Sequence, residues 1–369
     1  MANSKSKLGN AKPQSDLMTM DINLGGVSAT QKAIFARNLA IMLRSGLTIS
    51  EALSINLESA SGRFKKIIFN LLESVESGNS LADSFARYPK VFSGVFVSAT
   101  YAGEESGTLE ENLETIAKQL EKERELSGKI KQALLYPTVV LVAAFTLGLG
   151  LAFFILPKIL PLFTGMKMTL PWSTRVLISF SYFIQDYGTI FVLCLIAFIA
   201  LLGYVIKQKF SHPVTHWLLL NVPVVKTITR NSNLARFCRN LSTLIKSGLS
   251  IDKALDIAVE TVSNYYYQSA LKIISARLQK GTGLSDNLGQ FPKLFPAMLT
   301  RMTSVGEKSG QLEETLAYLG DFYDTEVDNA AKNLTVAIEP MLLLFIGAVV
   351  AFLTLSIITP IYNITGNLH

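Results

Sequence analysis

Eight ionisable residues fall into two matching blocks. Glu104, Glu105, Glu110 and Glu111 surround the segment from Gly103 to Leu109, and Glu307, Lys308, Glu313 and Glu314 surround the segment from Gly306 to Leu312. Carboxylates at this density could hold a divalent cation or form an acidic docking patch for a partner. They could equally complement the dipole at the start of one of the chain's own helices, a contribution of about 0.3–1 kcal/mol each. Lys308 stands where the first block has Glu105, which weighs against a cation cage in both. His212 and His216 are four apart, so one helical face could carry both imidazoles. No nearby Cys or carboxylate completes a zinc set, and Pro213 and Trp217 suit a helix that begins at a membrane interface. Glu339 immediately precedes Pro340 and a long apolar run, which makes it a candidate for contact with another membrane helix. Its counterpart in the first block's half of the chain is Tyr136.

Beyond these residues the chain offers little chemistry. It contains no GxSxG, GxxxxGK[ST], HExxH or GxGxxG pattern, and no nucleophile with a base beside it. Gly281-Thr282-Gly283 precedes a helix but lacks the Lys and Ser/Thr of a phosphate loop, so it reads as a turn. Cys194 lies in an apolar run and Cys238 in a polar helix, with neither a CxxC pair nor a disulfide framework. No enzyme, no cofactor and no resident metal is expected.

The blocks match because the chain is duplicated. Phe35, Arg37, Asn38, Leu39, Ser45-Gly46-Leu47, Ile49 and Ala52-Leu53 return 202 residues later as Phe237, Arg239, Asn240, Leu241, Ser247-Gly248-Leu249, Ile251 and Ala254-Leu255. After one inserted residue the offset becomes 203, pairing Gly78 with Gly281, Pro89-Lys90 with Pro292-Lys293, and Pro137 with Pro340. A period this long marks a duplicated domain, since solenoid units run to about 20–50 residues.

Within each unit the pattern is helical. Ser28-x-x-Gln31 and Thr48-x-x-Glu51 are capping boxes, and Gly46 supplies the left-handed residue between the two helices. Gly248 and Ser250 repeat the turn, but Lys253 replaces the Glu, so one reciprocal bond is lost. Gly103 and Gly306 are expected at turns before the last helix of each unit, where Thr108-x-x-Glu111 caps a long amphipathic helix. Pro137 and Pro340 are expected to open the apolar spans, where a missing N–H costs nothing.

The resulting fold is an all-α membrane protein: two homologous cytoplasmic six-helix bundles and three transmembrane helices. The expected order is a flexible arm at 1–27, a bundle at 28–134, a span at 136–157 and an extracytoplasmic connection at 158–187. A second span at 188–206, a second bundle at 207–337, a third span at 340–360 and an extracytoplasmic tail at 361–369 follow. Each span is about as long as the ~30 Å hydrocarbon core requires. The overall composition agrees, at 49% hydrophobic and only 17% charged.

Loop charge sets the expected orientation. The 158–187 connection holds three basic residues, Lys158, Lys167 and Arg175, while the other 31 of 34 fall in or beside the two bundles. Both bundles and the N-terminus are therefore placed in the cytoplasm, on the inner face of the cell membrane. The first arm also lacks the apolar core of a secretory signal. The net charge of +6 is spread without a basic stripe, which argues against nucleic acid.

The duplicated Ser-Gly-Leu turn, Gly-Glu-x-Ser-Gly-x-Leu-Glu-Glu, the Tyr136-Pro137 and Glu339-Pro340 pairs, and Leu170-Pro171-x-Ser-Thr174-Arg175 together resemble the type II secretion F family. These are the GspF/PilC-like inner-membrane platform proteins of type II secretion systems and type IV pili. The resemblance covers about residues 25 to 362. It implies a homo-oligomeric platform that couples a hexameric cytoplasmic ATPase to extraction of pilin or pseudopilin transmembrane helices, alongside other inner-membrane assembly proteins. Family members usually carry a longer segment before the first repeat. The rival of another class is a small-solute transporter built from two repeats, for which three spans are few and no polar midplane site is visible.

Overall fold

The computed structural model describes residues 26–150, 153–154, 158, 172–206 and 208–366. The expected arm up to residue 25, the end of the first span at Pro157, and Leu170-Pro171 lie outside the described residues. Among the described residues the chain is helical and has no strand.

The first half begins with α1 (Ala29–Arg44), α2 (Ile49–Ser59) and α3 (Gly62–Glu76). Ser28 and Gln31 exchange both bonds of a capping box, as do Thr48 and Glu51. Those bonds to Thr48 also lower the Glu51 pKa. Between these helices Gly46 takes φ +86°, a conformation a β-carbon would strain. Next come α4 (Leu81–Ala86), started by the Ser80 hydroxyl accepting from the Asp83 N–H, and α5 (Gly94–Ser106). Their apolar faces meet in a core whose centre is aromatic: Phe35, Phe64, Phe85, Phe92 and Phe96 have ring centroids 4.5–6.1 Å apart. Burying each such side chain is worth about 1.5–3 kcal/mol, which is what holds short, locally marginal helices together.

The half is completed by α6 (Leu109–Gly150), and here the structure departs from expectation. No break separates the amphipathic helix from the span. Both are one 42-residue helix, and Pro137 lies inside it rather than in its first turn. A proline contributes no N–H to the ladder and crowds the preceding turn, at about 3 kcal/mol in a soluble helix. Long apolar helices nevertheless tolerate it, because neighbouring groups take up the freed backbone. Local residue preference therefore marks a boundary that the tertiary structure overrides.

After α7 (Trp172–Ile206), Lys209–Ser211 forms one 3-10 turn, and α8 (His212–Asn221) precedes the second half. That half runs through α9 (Pro223–Lys246), α10 (Ile251–Thr261), α11 (Tyr265–Leu278), α12 (Leu284–Gly289), α13 (Ala297–Ser309) and α14 (Leu312–Gly366). Its separate core gathers Phe237, Leu241, Leu255, Tyr267, Leu271 and Phe295. The Tyr267 hydroxyl is satisfied by the Leu294 carbonyl at 2.9 Å. Pro340, like Pro137, sits within a continuous helix, α14. The segment read as an extracytoplasmic connection up to 187 is helical from Trp172 onward, so α7 is about 52 Å long at 1.5 Å per residue.

Three helices, α6, α7 and α14, are long and apolar enough to cross a membrane. Inside this apolar layer Thr174 donates to the Ser356 carbonyl at 2.9 Å, tying α7 to α14. A β-carbon at Gly188 would lie 2.5 Å from the Phe153 ring, so that close approach depends on glycine.

Candidate functional site

The two acidic blocks are built alike. At the end of α5 the Glu104 carboxylate accepts from the backbone N–H groups of Leu81 and Ala82, at 2.7 and 3.0 Å. At the end of α13 the Glu307 carboxylate accepts from Leu284 and Ser285, at 2.5 and 2.9 Å. Each Glu thus satisfies two of the free N–H groups that open a short helix, α4 or α12. Hydrogen bonds to a charged group contribute about 1.5–3 kcal/mol in such settings. In the second half this tertiary cap acts alone, because Gly283 replaces Ser80 and makes no side-chain cap.

The glycine before each Glu has a packing task. Gly103 and Gly306, expected at turns, are buried within α5 and α13. A β-carbon on Gly103 would stand 2.9 Å from the Leu109 Cα, and one on Gly306 would stand 2.7 Å from Thr315 Oγ1 and 3.2 Å from the Leu312 Cα. These glycines let the following helix cross close by. The chain turns four residues later, at Gly107 (φ +72°) and Gly310 (φ +71°). The expectation failed because both glycines of each motif suit a turn, and only the three-dimensional crossing tells them apart.

What the blocks leave to solvent is smaller than the sequence suggests. Glu105, Lys308, Glu111 and Glu314 are exposed, while Glu110 and Glu313 are half-buried. Among the described residues no three of His, Cys, Asp and Glu converge as a metal site. His212 and His216 stack with ring centroids 4.9 Å apart. His216 Nδ1 is already engaged, accepting from the Tyr265 N–H at 2.9 Å where α11 starts. Burial and then the neighbouring His212 lower its pKa, so the neutral acceptor form is favoured. Glu339 is exposed on α14, beside the equally exposed Pro340.

Two features had no sequence signal. A polar hollow of about 350 Å3 opens between α3 and α4, lined by Asn70, Ser74, Arg87 and Tyr88 among others. At the matching place in the second half Arg277 and Gln290 bond across the gap. The other is the contact between halves. Gln119 on α6 donates to Asn240 on α9 at 2.5 Å, with both residues buried. Lys122 and Lys129 on α6 reach Asp321 and Asp328 on α14, at 3.3 and 3.8 Å.

Comparison with known proteins bears on the whole of this architecture. The family model for type II secretion system protein F matches twice, over residues 35–157 and 237–360. The chain belongs to the type II secretion system protein F family. The family segments thus begin at Phe35 and Phe237 and end within or beside the long apolar helices α6 and α14. Relatives of this family include a type IV pilus assembly protein PilC of Thermus thermophilus, 35% identical over 91% of this chain and 83% of the relative. A type II secretion system protein F of Aeromonas hydrophila is 33% identical over 92% of this chain and 88% of its own length. A second PilC, of Myxococcus xanthus, is 31% identical over 93% and 82%. Family members bearing pilus and secretion names are thus similarly near.

Proposed function

We propose that this chain is an inner-membrane platform protein of a type IV pilus or type II secretion machine. Its two homologous helical bundles lie in the cytoplasm and couple a hexameric ATPase to extraction of pilin or pseudopilin helices from the membrane. The observation that carries this reading is the likeness over more than nine-tenths of the chain to proteins named for both systems. The three apolar helices support it, because a platform must be anchored where pilins are stored. Exposed Glu105, Glu111, Lys308 and Glu314 form the motor-facing surface, and Glu339 meets a pilin or other assembly-protein helix. Glu104 and Glu307 serve that surface indirectly, by holding α5 and α13 in place.

The test is in-cell photo-crosslinking from positions 105 and 314, with the captured neighbours identified by mass spectrometry. Capture of a hexameric secretion ATPase from both positions supports the reading. Deletion of the gene should then abolish filaments or secretion. Crosslinks to lipid alone would remove the motor surface from these turns. Solute uptake by vesicles holding the purified chain would favour a transporter instead.

A further inference from the structure

The two halves meet by unlike faces, and that leaves two matching faces uncovered. The contact uses α5 and α6 of the first half against α9, α10 and α14 of the second. A two-fold arrangement would also pack α13 and α14 on α1 and α2, but among the described residues those pairs make no comparable contact. A head-to-tail contact of this kind does not use itself up.

The equivalent residues show what is left open. Val95 is 2% exposed because it joins the second half's core, whereas Met298, its counterpart on α13, is 40% exposed. A β-carbon on Gly94 would lie 3.5 Å from Ile257 Cγ2. Their counterparts are Ala297 on α13 and Ile55 on α2, and Ile55 is 40% exposed. The ion pair of Arg239 with Asp324 is 11% and 16% exposed, yet the equivalent Arg37 and Glu121 are 58% and 34% exposed. Charge is complementary across the open faces. Glu51 and Glu58 lie exposed on α2, while Arg301 lies exposed on α13.

We propose that a second copy of this chain docks its α13–α14 face on the α1–α2 face, repeating the internal contact between molecules. Met298 then enters the neighbour's first core as Val95 enters the second core of its own chain. The membrane permits this geometry. Lys122–Asp321 and Lys129–Asp328 are spaced seven residues apart on both helices, so α6 and α14 run parallel into the apolar layer. Repeating that relation keeps every chain in one membrane plane.

The test uses the full chain in a Cys194→Ser, Cys238→Ala background. One tagged chain carries Ile55→Cys, a differently tagged chain carries Ala297→Cys, and membranes from co-expressing cells are oxidised. The expected result is a disulfide-linked heterodimer, with each variant alone remaining monomeric on a non-reducing gel. Gly94→Cys with Ile257→Cys closes within one chain and serves as the control. A homodimer of Ile55→Cys would show a two-fold contact, and absence of any interchain product while the control closes would show that the faces stay apart. Either outcome overturns the proposal. Adding Met298→Glu should cut heterodimer yield about tenfold, the effect of losing roughly 1.4 kcal/mol of association. An unchanged yield with an unchanged melting temperature would also overturn it.

Discussion

Gln119 donates to Asn240 across the seam between the two halves, and both residues are buried. Asn240 in turn donates to Thr261 Oγ1, so the seam is a small buried polar network. Such networks favour one arrangement, because breaking them strands a buried group. Gln119→Leu should destabilise the chain by about 1–3 kcal/mol, the cost of leaving Asn240 Oδ1 unpaired. Asn38→Leu, at the uncovered counterpart of Asn240, should change stability by less than about 0.5 kcal/mol. Denaturant unfolding in detergent, followed by helical circular dichroism, measures both.

The Glu104 and Glu307 carboxylates separate a folding role from a docking role. Glu104→Gln keeps one acceptor but loses the charge and one of two N–H bonds, and should cost about 1–3 kcal/mol. Glu307→Gln should cost at least as much, since α12 has no side-chain cap of its own. Glu105→Gln should leave the melting temperature unchanged. Equal melting curves for all three variants would show that the two carboxylates do not hold α4 and α12.

Much of this was legible where the signal is local. Ser28 with Gln31, Thr48 with Glu51, and Ser80 with Asp83 are three residues apart, so sequence and geometry coincide. The three apolar runs were legible for the same reason, since length and hydropathy decide whether a helix can cross a membrane. The Glu104 bonds to Leu81 and Ala82 span 23 and 22 residues, and nothing in the spacing announces them. The continuity of α6 through Pro137 was hidden because proline's local preference points the other way. Gly103 was misplaced by four residues because glycine serves both close crossings and left-handed turns.

That double use of glycine is testable. Gly103→Ala and Gly306→Ala should each cost about 1–3 kcal/mol, because the added methyl meets backbone or a β-branched neighbour that cannot retreat freely. Gly128, exposed in α6, has open space around it. Gly128→Ala should therefore stabilise by about 0.5–1 kcal/mol through helix propensity alone. Thermal melts of the three variants give opposite signs if close crossing, rather than turn formation, fixes Gly103 and Gly306.

His216 makes one contact depend on pH. Its Nδ1 can accept from the Tyr265 N–H only while unprotonated, and its folded pKa lies below the ordinary histidine value of 6.5. Because the unfolded chain takes up the proton first as pH falls, folding loses stability below about pH 6.5, until the folded form is also protonated. The contribution is fully present above that pH, so docking of α8 on the start of α11 should weaken from pH 7 to 5.5. The expected outcome is a lower protection factor, the exchange rate measured against its intrinsic value at each pH, at Tyr265 and Tyr266 at the lower pH. His216→Asn places an amide oxygen near the position of Nδ1 and does not titrate there, so it should keep the contact and flatten the pH dependence. A protection factor at Tyr265 that changes equally with pH in the variant would show that the histidine is not the sensor.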